Sequence, residues 1–374
     1  MSADVRRIAL GSRVVVRWRL DEPDRTSGAT LTDSVGVLSA RDDEHLVVET
    51  SKGPVSIELS RVTTAKEVPP KPSRRGAPHL ALTIEDLQRV MVPAWGALER
   101  GSLGDWLLRA SAGYTERGNS VVPVGSPGRP LDAAVEDVER WYAARGLPAK
   151  FALAGPEGFD PSDDPLGALL VARGYTVGSR TLNLTAARET IAAADPGGPA
   201  VTVADQLSPG WLESYHRTRA TVPGATEAVL SDGPRVLFGS ITPGGGLSQQ
   251  LGLRAADAAG TTPIALARLG IGAGWGGLGA VWTDPAYRGR GLAAHLTARL
   301  AVALRDEGVS LMHLQVEHDN EPAIRLYRRL GFAVHSSYVY LTAQRPTSPR
   351  PTSPRPTSPQ TGGGGAGPAG TVSP

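Results

Sequence analysis

Between Arg13 and Leu20 apolar and charged side chains alternate, with Val14, Val16, Trp18 and Leu20 on one face and Arg13, Arg17 and Arg19 largely on the other. A period of two is that of a half-buried strand. Three further short runs follow, Val35–Leu38, Leu46–Glu49 and Val55–Leu59, separated by turn signals at Asp42-Asp43 and Lys52-Gly53. Strands this short at this spacing predict a small, strongly bent all-β barrel of SH3-like or Tudor type over residues 1–67. Residues 68–79, with Pro69, Pro70, Pro72 and Pro78, read as a stiff extended linker.

From residue 80 the period lengthens. Thr83-Ile-Glu-Asp86 has the form of a helix cap ahead of Leu87, Val90 and Met91. Leu131, Val135, Val138 and Tyr142 make a helical stripe that ends at Gly146, Phe151–Ala154 reads as a strand, and Pro165–Arg173 as a short helix. After residue 200 come a strand and a helix around Trp211, Leu212 and Tyr215, then a strand at Pro263–Leu269. Glycine-rich Gly270–Gly277 reads as the connector of a hairpin whose second strand runs from Leu278 to Thr283. Leu292, Leu296, Leu300 and Leu304 predict a helix, closed by Glu307-Gly308; Leu311–Val316 is a strand, and Asn320, Pro322 and Gly331 bound a final helix.

Sliding the chain along itself exposes a repeat. At a shift of 157 residues Leu169–Ala186 lies over Leu326–Ala343 with 7 of 18 positions identical, and at 161 Gly128-Arg-Pro-Leu131 lies over Gly289-Arg-Gly-Leu292. A unit of this size is a domain rather than a solenoid turn; the competing reading is chance similarity of two βα units. The first copy, 80–190, has Pro130 where the second, 200–343, has Gly291, and Leu170 where the second has Tyr327. The first copy reads as scaffold and the second as the seat of chemistry.

Composition narrows the function classes. The 374 residues carry 39 basic and 37 acidic side chains, so a net charge of +2 points to neither nucleic acid nor a membrane surface. A basic face at Arg13, Arg17 and Arg19 leaves tethering of a macromolecule open, beside the plainer reading of a solvated strand face. Cysteine is absent and the seven histidines show no ligand spacing, which argues against disulfides, a thiolate nucleophile and a bound metal. No stretch approaches the length of a membrane span, and the expectation is a soluble, cytoplasmic protein. Residues 344–374 repeat Arg-Pro-Thr-Ser-Pro three times before a glycine run, a composition expected to stay disordered. Oligomeric state is not legible.

The richest stretch is Tyr287-Arg-Gly-Arg-Gly-Leu-Ala-Ala294, between the strand ending at Thr283 and the helix from Leu292. The first N–H groups of a helix have no internal partner and point into the turn before it, so strand, glycine turn and helix together make an anion site. Gly289 and Gly291 permit positive φ, and Arg288 and Arg290 add charge; an ordinary βα turn with surface arginines is the alternative.

Arg288-Gly-Arg-Gly291-Leu-Ala293, preceded by Asp284-Pro285, resembles the pyrophosphate motif of the GNAT acyl-CoA N-acyltransferases. Asn320-Glu-Pro-Ala323-Ile-Arg-Leu326-Tyr327-Arg-Arg-Leu-Gly331-Phe332 resembles their later motif, and the match covers about 275–343. The resemblance implies a mixed α/β (α+β) fold of tandem GNAT-like halves, the first degenerate, behind the small barrel. It implies acetyl-CoA as co-substrate, with pantetheine along the backbone of Val281, Trp282 and Thr283 and the diphosphate on Arg288, Gly289, Arg290, Gly291, Leu292, Ala293 and Ala294. Asn320 would bond the pantetheine or position Tyr327, and Tyr327 would be general acid to the departing thiolate. The acceptor would be an amine, on a small molecule or a protein. The base stays open: Glu317 is the candidate, Asp284 and His318 are near in sequence, and Gln315 stands where a carboxylate would be convenient. That gap also leaves room for a non-catalytic acyl-CoA sensor acting through barrel and tail.

Overall fold

The computed structural model describes residues 8–21, 28–50, 52–68, 77–217, 219–243 and 262–344. The expected tail from Arg345 on, the first seven residues and most of the linker lie outside them.

Five strands open the chain: β1 (Arg13–Arg19), β2 (Leu31–Arg41), β3 (His45–Thr50), β4 (Gly53–Glu58) and β5 (Val62–Glu67). They form one antiparallel sheet in the order β4-β3-β2-β1-β5. Alternation sets its inner face, since Val14, Val16, Leu38, Leu46, Val48 and Ile57 are all nearly inaccessible. The arginine face is partly neutralised: Arg17 Nε donates to Asp33 Oδ1 across the β1–β2 pair at 2.8 Å. Glu67 at the end of β5 accepts from the Ala273 N–H at 3.1 Å, which ties this domain to the rest of the chain.

The remaining elements are α1 (Ile84–Met91), β6 (Glu99–Leu103), β7 (Trp106–Ala110), α2 (Leu131–Ala143), β8 (Lys150–Gly155), α3 (Pro165–Ala172), β9 (Thr176–Ala187) and α4 (Arg188–Ala193). They continue with β10 (Thr202–Ala204), α5 (Pro209–His216), α6 (Ala225–Ser231), β11 (Arg235–Ile241), β12 (Ala265–Gly272), β13 (Trp275–Thr283), α7 (Leu292–Ala303), β14 (Leu311–Glu317), α8 (Glu321–Leu330) and β15 (Ala333–Thr342). Eight strands form a single sheet, β10-β11-β12-β13-β14-β9-β15-β8, in which only β13 and β14 run parallel.

The segments 80–190 and 200–343 therefore share one sheet. At the shift of 161, α2 and β8 fall on α7 and β14; at 157, α3 and β9 fall on α8 and β15. Yet each copy's last strand sits beside the other copy's earlier one. β9 pairs with β14, β15 pairs with β8, and β9 and β15 pair with each other between them. The exchange covers edges that each copy alone would expose. Leu292, Leu296, Leu300 and Leu304 pack on this sheet with Leu184, Leu269 and Leu314. Each fully buried leucine contributes about 1.5–3 kcal/mol.

The glycine-rich connector is a correction. Only Ala273 and Gly274 form the hairpin turn, both at positive φ (51° and 76°), and the flanking glycines lie inside β12 and β13. They are there because backbone crosses the sheet closely. A Cβ on Gly270 would stand 2.1 Å from the Ala94 carbonyl oxygen, and one on Gly277 would stand 2.4 Å from Ala94 Cβ. What reads as a loop is the seat of the 92–94 segment.

Candidate active site

β13 and β14 pair from Trp275↔Leu311 to Leu278↔Leu314 and then part. Each keeps its outer neighbour: Trp282 and Thr283 stay on β12, while Gln315, Val316 and Glu317 stay on β9. The parting begins at a bulge, where β13 places two residues, Ala280 and Val281, against the single Ala267 of β12. Ala280 sits in that bulge at φ 53°, a conformation that costs a non-glycine residue about 1–2 kcal/mol. Thr115, at φ 58°, faces the same space. Two strained residues on one cavity mark a place where geometry has been held against local preference.

The cavity between the parted strands has a volume of about 460 Å³, within the range of small-molecule sites. Its lining includes the strand ends with Asn320, Ala323 and Tyr327. It also includes residues from elements the sequence did not connect with the site: Trp95, Glu116, Arg117, Tyr215, Arg219 and Tyr340. Arg117 follows the β6–β7 hairpin of the first copy, and no local motif marks it.

Of the predicted residues, Val281, Glu317, Asn320 and Tyr327 line the cavity. Trp282 lies in register with Leu266, and its side chain packs against the hydrophobic cluster that holds Trp95, Trp211 and Phe238. Thr283 offers its carbonyl to Arg288 Nε at 3.3 Å. The Arg288–Ala294 turn lies beyond the end of β13. Asp284 starts it by accepting from the Ala286 N–H at 2.9 Å, and Gly289 and Gly291 take φ 75° and 76°. His295 is the first residue of α7 to bond inside the helix, to the Gly291 carbonyl at 2.9 Å, so the N–H groups of Leu292, Ala293 and Ala294 head it. An anion resting there would meet those donors and the positive end of the helix dipole.

Tyr327 is buried and its ring packs edge-on against Phe332. Burial pushes its phenol above the ordinary tyrosine range, with Arg219 pulling weakly the other way. The hydroxyl makes no hydrogen bond to any described residue and stays protonated at neutral pH, as a proton donor requires. Asn320 caps α8, accepting from the Ala323 N–H at 3.3 Å. Among the candidate bases, Glu317 lines the cavity whereas Asp284 and His318 do not. Gln315 donates to Asn183 Oδ1 at 3.2 Å. Glu116, a carboxylate the sequence reading missed, lines the cavity and holds Lys150 Nζ at 2.6 Å.

Parallel strands that part beside a buried tyrosine, with a glycine turn at a helix head after the first of them, form a candidate acyltransferase site of the GNAT class. A family profile described as "Probable histone acetyltransferase Rv0428c C-terminal" matches residues 82–341, and one described as "Rv0428c N-terminal Sm-like domain" matches residues 8–66. The chain belongs to the GNAT N-acetyltransferases, in the group that carries an Sm-like domain ahead of the transferase. The opening β domain is thus Sm-like within the small-barrel class expected. The Mycobacterium tuberculosis protein named probable histone acetyltransferase Rv0428c is 30% identical over 348 residues, 90% of this chain and 96% of that protein. An uncharacterized N-acetyltransferase of Bacillus subtilis, YobR, is 26% identical over 69% of this chain and 97% of its own length. The mycothiol acetyltransferase of Nocardiopsis dassonvillei is 43% identical over 65 residues, 17% of this chain and 20% of that protein.

Proposed function

We propose that this N-acetyltransferase takes acetyl-CoA as donor and a primary amine as acceptor, by direct attack. The observation that carries the reading is the parting of β13 and β14 after Leu278 and Leu314, with Tyr327 on its wall. The unpaired edges of the two strands suit an extended pantetheine arm, and the Arg288–Ala294 turn suits its diphosphate. The amine nitrogen attacks the thioester carbonyl and the C–S bond breaks. The ammonium proton passes to Glu317, directly or through water, and the departing thiolate takes the Tyr327 proton.

The name of the Mycobacterium tuberculosis relative makes a protein lysine one acceptor to try, beside small amines. Calorimetry with acetyl-CoA and thiol release with an amine panel test the proposal together. Tyr327→Phe lowers kcat about 100-fold while acetyl-CoA affinity holds. Binding without thiol release on any amine would overturn the transferase reading in favour of an acyl-CoA sensor; no binding at millimolar ligand would overturn both.

A further inference from the structure

Two guanidinium groups approach the Trp95 indole, Arg268 at 5.1 Å and Arg117 at 5.0 Å from the ring centroid, and they are held in opposite ways. Arg268 is fully buried and satisfied. Its Nε donates to the Leu230 carbonyl at 2.6 Å, one Nη to Ala94 at 2.6 Å and the other to Asp232 at 2.8 Å. Burial pulls it down to about 10, with Arg117 the next cause, and it stays charged. Arg117 has no such cradle. Its Nε is buried without a partner, and the guanidinium makes no ion pair with any described residue. It lines the active-site cavity and two smaller hollows beside it. Buried donors are ordinarily paired, so a guanidinium that borders a substrate cavity and has no hydrogen-bond or ion-pair partner among the described residues has donor capacity for an acceptor in that cavity.

The rest of the lining agrees in sign. Arg219 also faces the cavity, stacked over Tyr215 at 5.9 Å and without an ion pair among the described residues. Of the two carboxylates among the described lining residues, Glu116 is tied to Lys150, which leaves Glu317. The described lining therefore carries two cations on aromatic platforms that no described carboxylate pairs.

We infer that the acceptor is an amine that also carries an anionic group, a carboxylate or a phosphate, which Arg117 and Arg219 bind while its ammonium faces Glu317. This rests on the transferase reading above and narrows its substrate class. A planar guanidinium beside an indole suits either oxyanion. A basic lysine-rich peptide would meet like charge on this lining.

The test compares kcat/KM across ω-amino carboxylates, the amides of the same acids, aminoalkyl phosphates, and a lysine peptide flanked by arginines. In parallel, calorimetry on the CoA-bound protein compares N-acetyl ω-amino carboxylates with their amides. We expect the carboxylate or the phosphate arm to exceed its neutral counterpart by about 10- to 100-fold, the scale of a charge-assisted hydrogen bond. Whichever arm leads identifies the anion. The ratio should fall to near one in Arg117→Gln, recover in part in Arg117→Lys, and fall less steeply in Arg219→Gln. A role of Arg117 in packing alone would not move this charge ratio. Equal use of acids and amides by the wild type, preference for the basic peptide, or an unchanged ratio in a folded Arg117→Gln would overturn the inference. Thiol release without anion preference leaves the transferase reading standing and sinks this one. Arg117-dependent anion binding without thiol release sinks the transferase reading and the acceptor with it, and leaves only an anion site.

Discussion

Gly291→Pro tests the diphosphate cradle, and the molecule already contains its own control. Gly291 heads α7 at φ 76° and ψ 0°. Its counterpart in the first copy, Pro130, heads α2 at φ −56° and ψ 144°, although Gly128, the counterpart of Gly289, keeps a matching φ of 73°. Helix initiation survives that difference, because Ala134 N–H bonds the Pro130 carbonyl at 3.0 Å just as His295 N–H bonds that of Gly291 at 2.9 Å. Proline fixes φ near −65°, so the substitution turns this residue by about 140° and removes its N–H. One charge-assisted donor contributes about 1.5–3 kcal/mol, which makes the loss in affinity about 10- to 150-fold before the rotation of the turn is added. Calorimetry with acetyl-CoA and with S-acetylpantetheine, which has no diphosphate, separates the cradle from the gap. The loss should fall on acetyl-CoA alone, with a thermal midpoint close to wild type. An unchanged acetyl-CoA affinity, or an equal loss for the fragment, would refute the assignment of the turn.

The remaining predictions concern what surrounds the site. Burial, reinforced by Arg117, pulls the His313 imidazole down to about 3. The unfolded chain therefore binds this proton from about pH 6.5 downward while the folded one does not, so stability falls as pH drops through that window, by about 2 kcal/mol at pH 5. Denaturant unfolding at pH 7 and pH 5 should show that difference shrinking by this amount in His313→Leu; an unaltered difference would mean that another group carries the acid limb. Arg268→Met strands the carbonyls of Leu230, Ala94 and Asp232 and should cost about 3–5 kcal/mol by urea unfolding. A cost below about 1 kcal/mol would show that relaxation or water replaces the guanidinium.

What is local was legible. The Gly289–Gly291 turn, the stripe from Leu292 to Leu304 and the Asn320–Gly331 helix are each specified by side chains a few residues apart, and the helices and turn stand where the period and the caps put them. The glycine stretch from 270 to 277 was misread because a glycine that admits a neighbouring backbone looks, in sequence, like one that makes a turn. The approach of Ala94 that requires it comes from about 180 residues away, at a separation no window can span.

The sequence alone determined the helix that carries Tyr327 and the repeat that hints at two copies. Only the tertiary structure decided how the copies join. Alternation dictates which face of a strand is buried but not which strand lies beside it, since every strand edge offers the same N–H and C=O groups. The exchange of β9 and β15 was settled by burying two edges at once, and it places β9 beside β14. The same packing brings Trp95, Glu116 and Arg117 to the cavity that Tyr327 also lines, so the scaffold copy supplies part of the candidate site.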